Sequence, residues 1–463
     1  MSNEFILGLL GVDKYESEKE ADDILLQLFG RSPRGIPSTV SDGRRTVVGD
    51  DFGYYTSARA RQLVRERGND PRLGIALELP AGHDWAFTAY ATLYLGLTIV
   101  PVDPRWPEER RRVALDSCAV HVTPDSVRPP IGVQREWVDP RPLDLDVPAL
   151  ELQTSGSSGV PTRVVHSRRS LAAQAILGAR VMRLDLYSHW LSALPMTHAA
   201  GIGVFIRSLA GGGSMTLLPH FVEDEFLARL AAPDRQPPVS VVSLVPTMLT
   251  RLLDAGWVRP EGLEAAVIGG APLGAELRVR AIEAGIPIRE SWGMTETLGM
   301  ISVARTDTYS GVGQPLPGVE VRASDAGELL VRGPIVAPGL SDEEGWFHTN
   351  DSGYVDERGF IHVEGRVGSM IISGGENVFP EAVERALLAT GLLEDVLVSG
   401  EADPEWGQRV VADAVPKLPT TTPSEVRDAV IDQLARWELP KEITFVEQIK
   451  RDKLGKVVRH SNG

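Results

Sequence analysis

The sequence predicts an α/β protein: a large N-terminal body of layered α/β subdomains, a small β-barrel-like part, and a small α+β C-terminal domain. Three observations lead there. Helical and strand-like segments alternate through most of the chain, a pattern that favours helices layered on largely parallel sheets. From about Gly311 to Val363 the pattern changes to short β segments between glycine and proline turns, as in GVEVRASDAGELLVRGP. From about Arg366 onward a last segment has its own helices and strands, in roughly 100 residues, enough to fold alone. The expected division is residues 1–365 and 366–463.

Taken in order, the N-terminus reads MSNEFILGLLGVDKYESEKEADD, acidic and without the basic-then-apolar layout of a signal peptide. Trp85 to Val102 is uncharged for 18 residues, the lower limit for a membrane span. It contains Thr88, Thr92, Gly96 and Thr98 and ends in IVPVDP, so the reading is a buried helix (85–96) followed by a strand (97–102). VVSLV (241–245) is a strand followed by a helix, and AAVIGG (265–270) is a strand running into a glycine turn. PEAVERALLAT and PSEVRDAVIDQLARW are the C-terminal helices. No repeat or low-complexity tract interrupts the chain.

Composition removes several function classes. The 47 basic residues against 63 acidic ones leave a formal net charge of −16, with no basic block. Sequence-independent nucleic-acid binding needs clustered Lys and Arg, so no nucleic-acid partner is expected. The single cysteine, Cys118, excludes an intramolecular disulfide framework and a cysteine-based zinc site. A cytoplasmic protein without membrane association is the expectation.

One stretch, LQTSGSSGVPTRVVHS (152–167), is dense in small and polar residues. Hydroxyls and backbone N–H groups on a sharply bending chain make a cradle for phosphate oxygens. It is not a Walker loop, because Thr162 follows Pro161 where Gly-Lys-Ser/Thr is required. Alone, the composition fits a solvated Gly/Ser linker equally well.

Its company decides. In order along the chain come LGLTIVPVDPRWPEERRRVALDSCAV, TSGSSGVPTRVV, LPMTHAAG, VIGGAPL, SWGMTE, GWFHTNDSGYVDERGFIHVEGR, SGGENVFPEAVE and KRDKLGKVVR. From about residue 90 to 459 this resembles the adenylate-forming superfamily of acyl-CoA synthetases, free-standing adenylation domains and luciferases. The layout is most like the compact aryl- and succinylbenzoate-type CoA ligases. Such enzymes attack the α-phosphate of ATP with a carboxylate, expel pyrophosphate, and pass the acyl group to a thiol.

The resemblance assigns roles. Thr154, Ser155, Gly156, Ser157, Ser158 and Gly159 would cradle the β- and γ-phosphates. Thr295 would meet the α-phosphate, and Glu296 would ligate Mg²⁺, a hard cation suited to carboxylate oxygen. Gly270, Ala271 and Pro272 would wall the adenine slot, Ser291 belongs to the same signature, and Trp292 would stack on the base. Asp351 would accept both ribose hydroxyls, and Arg366 would reach the ribose or phosphate from the domain junction. Lys456 would bridge substrate carboxylate and α-phosphate from a mobile C-terminal domain. Ser373, Gly374 and Gly375 would line the tunnel for CoA or for a carrier-protein phosphopantetheine. A hinge would fall at Gly368, two residues past Arg366. The chain also looks short at its N-terminus for this family.

Two positions depart from the family pattern. The phosphate loop continues Pro161-Thr162-Arg163 where a lysine is usual, which makes Arg163 a candidate for the missing cation, although a guanidinium is not an ammonium. The hinge is a glycine in place of Asp or Lys. Met196 to Phe205 holds no acidic residue, so an α-amino acid is not the expected substrate. His198 would gate the acyl pocket. Ala199, Ala200, Gly201, Gly203, Leu298, Gly299 and Met300 imply an uncharged pocket for a ring or a medium chain. Three alternatives stay open at this point: loading of an acyl carrier protein, activation of another oxyanion, and a nucleotide-binding partner without catalysis. Oligomeric state is not set by the sequence.

Overall fold

A computed structural model describes residues 39–127, 144–154, 162–232, 237–304, 311–367, 371–373, 376–403, 406–431 and 433–449. The described chain opens with β1 (Thr39–Ser41), β2 (Thr46–Val48), α1 (Gly49–Arg67) and β3 (Gly74–Leu77). Next come α2 (His83–Tyr94), β4 (Thr98–Pro101), α3 (Glu108–Leu115) and β5 (Cys118–Val122). The apolar stretch expected as a buried helix and a strand is α2 and β4. Trp85 to Tyr94 is buried without interruption, because α2 has protein on every side.

After β6 (Pro148–Thr154) and β7 (Thr162–Ser167) the chain alternates: α4 (Arg168–Met182), β8 (His189–Ser192), α5 (Ala199–Gly211), β9 (Ser214–Leu217), α6 (Glu223–Leu230), β10 (Val241–Leu244), α7 (Pro246–Asp254), β11 (Ala265–Ile268), α8 (Ala275–Glu283) and β12 (Ile288–Met294). Short strands follow: β13 (Gly299–Val303), β14 (Gln314–Pro315), β15 (Glu320–Ala323), β16 (Glu328–Arg332), β17 (Phe347–Val355) and β18 (Ile361–Arg366). The C-terminal unit holds β19 (Ile371–Ser373), β20 (Glu376–Val378), α9 (Pro380–Ala389), β21 (Leu393–Asp403), β22 (Gly407–Pro416), α10 (Pro423–Asp428) and β23 (Glu442–Phe445). α10 is shorter than the helix expected over 423–437. It starts on a Thr422–Glu425 capping box, and past Asp428 the N–H of Ile431 bonds three residues back, to the Asp428 carbonyl.

Two sheets form the body. A nine-stranded sheet runs β14-β13-β12-β11-β10-β8-β9-β1-β2, parallel from β12 to β1 and antiparallel at both edges. A five-stranded sheet runs β5-β3-β4-β6-β7, parallel except for the last pair. One core joins them: Trp190 and Met215 from the first sheet, Ile75 and Leu150 from the second, and α2, α4 and α5 between. A second core under α6, α7 and α8 covers the other face of the long sheet. The barrel-like part is realised as a four-stranded antiparallel meander, β15-β16-β17-β18. The C-terminal sheet, β20-β19-β22-β21 with β23 on β22, packs its own core with α9 and α10. It meets the body through α9 against β18 and through Lys417, 3.1 Å from Glu276.

Candidate active site

The Gly/Ser stretch is no linker between domains. Residues 155–161 join β6 to its neighbour β7 in one sheet, with Thr154 and Thr162 in register at its two ends. Parallel strands β10, β11 and β12 end on a common edge, where ligands of α/β sheets bind. Gly270, Ala271 and Pro272 lie exposed just past β11, with Gly270 at φ +82°, a turn that disfavours a side chain.

β12 continues through the turn Thr295–Thr297 into β13. A Cβ at Gly293 would run into the Gly299 carbonyl, so only glycine lets this hairpin close. Two residues brace its tip from behind. His166, wholly buried at the end of β7, donates from Nε2 to the Thr295 carbonyl at 2.8 Å. Burial pushes its imidazole down to about 4, so it stays neutral. Gln174, buried on α4, donates to the Thr297 and Met300 carbonyls, both at 2.8 Å. Sequence reading passed over both residues. His166 stood in the quoted loop segment, and only tertiary contact gives it a partner 129 positions away.

Beside the turn lies Asp351, 6% exposed on β17. The indole N–H of Trp292 donates to its Oδ2 at 2.7 Å, and Arg366 Nε reaches Oδ1 at 2.8 Å. Asp351 and Arg366 are cross-strand partners, and Arg366 also donates to the Thr349 carbonyl at 3.2 Å. Burial pushes the Asp351 carboxyl up, against the pull of Arg366 and Trp292, and the charges of Glu381 and Glu296 push the same way as burial. Thr295, Glu296, Trp292, Asp351 and Arg366 therefore share one site, with Glu296 half-buried. Trp292 is only 7% exposed and presents its polar edge to Asp351. Ser291 uses its hydroxyl proton on the Ser302 carbonyl, 2.9 Å away, a strut across the hairpin.

Other expected residues fall elsewhere or outside the description. Arg163 is committed to Glu151, which is 5% exposed, through a two-pronged pair at 2.8 and 2.6 Å. This corrects its candidacy as the phosphate-loop cation: the fork is turned across to the neighbouring strand β6 and is occupied there. His198 caps α5, half-buried. Its charge helps hold the Asp103 carboxyl down, after the stronger effect of the Arg105 side chain. Ser373 is fully buried on the C-terminal sheet, its hydroxyl without a partner among the described residues. Ser155, Gly156, Ser157, Ser158, Gly159, Gly368, Gly374, Gly375 and Lys456 lie outside the described residues.

One charge lies among the small residues named for the acyl pocket. Arg207, on α5, is 4% exposed, and its guanidinium lies against Gly203, Gly178 and Gly299, where added Cβ atoms would touch it. It donates to Gln174 Oε1 at 3.1 Å, and among the described residues its Nε has no partner and no carboxylate pairs with it. Burial pushes the guanidinium down to about 10, so it remains a cation at neutral pH. A lone charge in AAGIGVFIRSLAGGG was the signal to notice.

A Thr-Glu turn and a buried carboxylate thus meet beside the ends of the parallel strands. The model of the AMP-binding enzyme family matches residues 123–340, and that of the AMP-binding enzyme C-terminal domain matches 382–456. The 2-succinylbenzoate–CoA ligase of Bacillus cereus (strain Q1) is 32% identical over 332 residues, 66% of this chain and 68% of that one. The chain belongs to the AMP-binding enzyme family. It is an AMP-forming ligase that converts an acid to its acyl-adenylate and then to a thioester. The fold is that of the o-succinylbenzoate CoA synthetase of Bacillus subtilis, solved with its acyl-adenylate intermediate: TM-score 0.81, 24% identity, 94% of this chain and 96% of that one. The same enzyme solved with ATP and magnesium ion superposes with a TM-score of 0.79 at 24% identity, over 94% of this chain and 98% of that one. Among the described residues no helix is long and apolar enough to cross a membrane.

Proposed function

We propose that this ligase activates an aromatic acid bearing a second carboxylate, of the 2-succinylbenzoate type, and transfers the acyl group to CoA. Arg207 carries the reading. A buried guanidinium held by one amide oxygen costs stability, and breaking even with that cost takes an anion in good geometry. A monocarboxylate presents only the group that reacts; a diacid brings a second to the Arg207 cage. The glycines at 203 and 299 let the guanidinium lie against the backbone of α5 and β13, where a side chain would displace it. Relatives named for 2-succinylbenzoate and CoA support substrate and acceptor, free CoA in preference to a carrier protein.

Within this proposal, Thr154 and residues 155–159 cradle the phosphates, and Gly270, Ala271, Pro272 and Trp292 bound the adenine. Asp351 and Arg366 take the ribose, Thr295 meets the α-phosphate, and His198 borders the acyl group. Half-buried Glu296 fits Mg²⁺, which takes one or two carboxylates and completes its shell with phosphate and water oxygens. When bound, the ion neutralises charge on phosphoryl oxygens. Lys456 and Ser373, Gly374 and Gly375 alternate at the site as a domain beginning near Arg366 turns about Gly368. A cytosolic location agrees with a single buried cysteine.

Pyrophosphate release with a panel of acids tests the proposal. Succinylbenzoate should be preferred by about 10² over 3-benzoylpropionate, which lacks the ring carboxylate, the loss expected for a buried charge left unpaired. Equal turnover of the two would refute it.

A further inference from the structure

We infer that the indole N–H of Trp292 is a positioning group for the nucleotide: it holds the Asp351 carboxylate in the orientation that receives the ribose. The inference rests on the ribose role proposed for Asp351. An ionised carboxylate offers about four lone-pair sites. Two are taken, one on each oxygen, by Trp292 at 2.7 Å and Arg366 at 2.8 Å. Donors arriving from two different sheets, β12 and β18, fix rotation about the Cβ–Cγ bond. Among the described residues one acceptor site per oxygen stays open, the number that a pair of vicinal hydroxyls needs.

The two donors are not equivalent. Arg366 is 55% exposed at the very end of β18, on the strand that leads out of the body. Trp292 is 7% exposed within the body, on a hairpin braced by His166 and Gln174. The indole bond is thus the buried and constant one, and it is independent of what the chain does after Arg366. The register irregularity between Trp292 and Gly293 marks where β12 departs from regular pairing, at the residue that reaches β17. Indole has a single donor and no acceptor, so this one bond points the ring's N–H edge at Asp351. Trp292 then serves the nucleotide through its edge as well as its face.

The experiment compares ATP with 2′-deoxy- and 3′-deoxy-ATP in the pyrophosphate-release assay. It uses the full chain as wild type, as Trp292→Phe, and with 3-benzothienylalanine placed at 292 by amber suppression. The last analogue keeps the size and face of indole and lacks only the N–H, so it also guards against misfolding. Wild type should lose about tenfold or more in kcat/KM with a deoxynucleotide, the size of one hydrogen bond to a charged group. Both variants should raise the ATP KM about tenfold, leave the acid KM within about twofold, and shrink the deoxy penalty to about threefold or less. A full deoxy penalty in the benzothienyl variant would overturn the inference, as would ATP and acid KM rising together. Absence of any deoxy penalty in wild type would remove the ribose role of Asp351 itself, and the inference with it.

Discussion

Arg207→Met separates a functional buried charge from a structural one, because the two roles predict opposite signs. Burial lowers the Arg207 guanidinium by two to three pH units from its ordinary value, to about 10. At about 1.4 kcal/mol per unit, the folded chain carries about 3 kcal/mol for holding it charged at neutral pH. Methionine fills a similar volume and removes that cost. Against this, Gln174 Oε1 loses its donor at 3.1 Å, which costs about 1–3 kcal/mol. The net expectation is a variant as stable as wild type, or up to about 2 kcal/mol more stable, in urea denaturation without substrate. Activity should move the other way. Leaving the second carboxylate of a diacid without its cation should cost about 10²-fold or more in kcat/KM, while 3-benzoylpropionate is unaffected. Loss of more than about 2 kcal/mol, with both acids falling alike, would show that Arg207 is a strut and sink the substrate proposal.

Further outcomes follow from individual contacts. His166 has a native value of about 4 against an ordinary 6.5, so between these pH values the unfolded chain holds a proton that the native chain lacks. Its contribution is therefore absent above pH 6.5 and destabilises as pH falls, to about 3 kcal/mol near pH 4. His166→Gln keeps an N–H for the Thr295 carbonyl and should flatten this part of the pH–stability curve; identical slopes in urea melts would contradict the assignment. Arg163→Ala strands Glu151, 5% exposed, and should cost about 2 kcal/mol with the ATP KM within about threefold. A raised ATP KM at unchanged stability would restore Arg163 to the phosphates. Lys456→Ala should slow adenylate formation about 10²-fold and spare thioester formation from a presynthesised acyl-adenylate. If both half-reactions fall equally, Lys456 has another role.

Much was legible in the sequence because it is local. Eighteen uncharged residues became α2 and β4, AAVIGG became a strand ending in a positive-φ glycine, and the change of rhythm after Gly311 became the antiparallel meander. The Thr-Glu turn and Asp351, 55 positions apart, were named from motifs alone, and the structure sets them side by side. What tertiary structure decided is where polar groups find their partners. The indole edge of Trp292 meets Asp351 only when β12 and β17 are brought together, and Arg163 meets Glu151 only once β6 and β7 pair. In the sequence Arg207 is one charge in an apolar helix, and only the fold closes Gly178, Gly203 and Gly299 around it. Periodicity and glycine turns act within a few residues, so a sequence displays them. Desolvation and hydrogen bonding of a buried charge depend on neighbours far along the chain, and only the folded molecule supplies them.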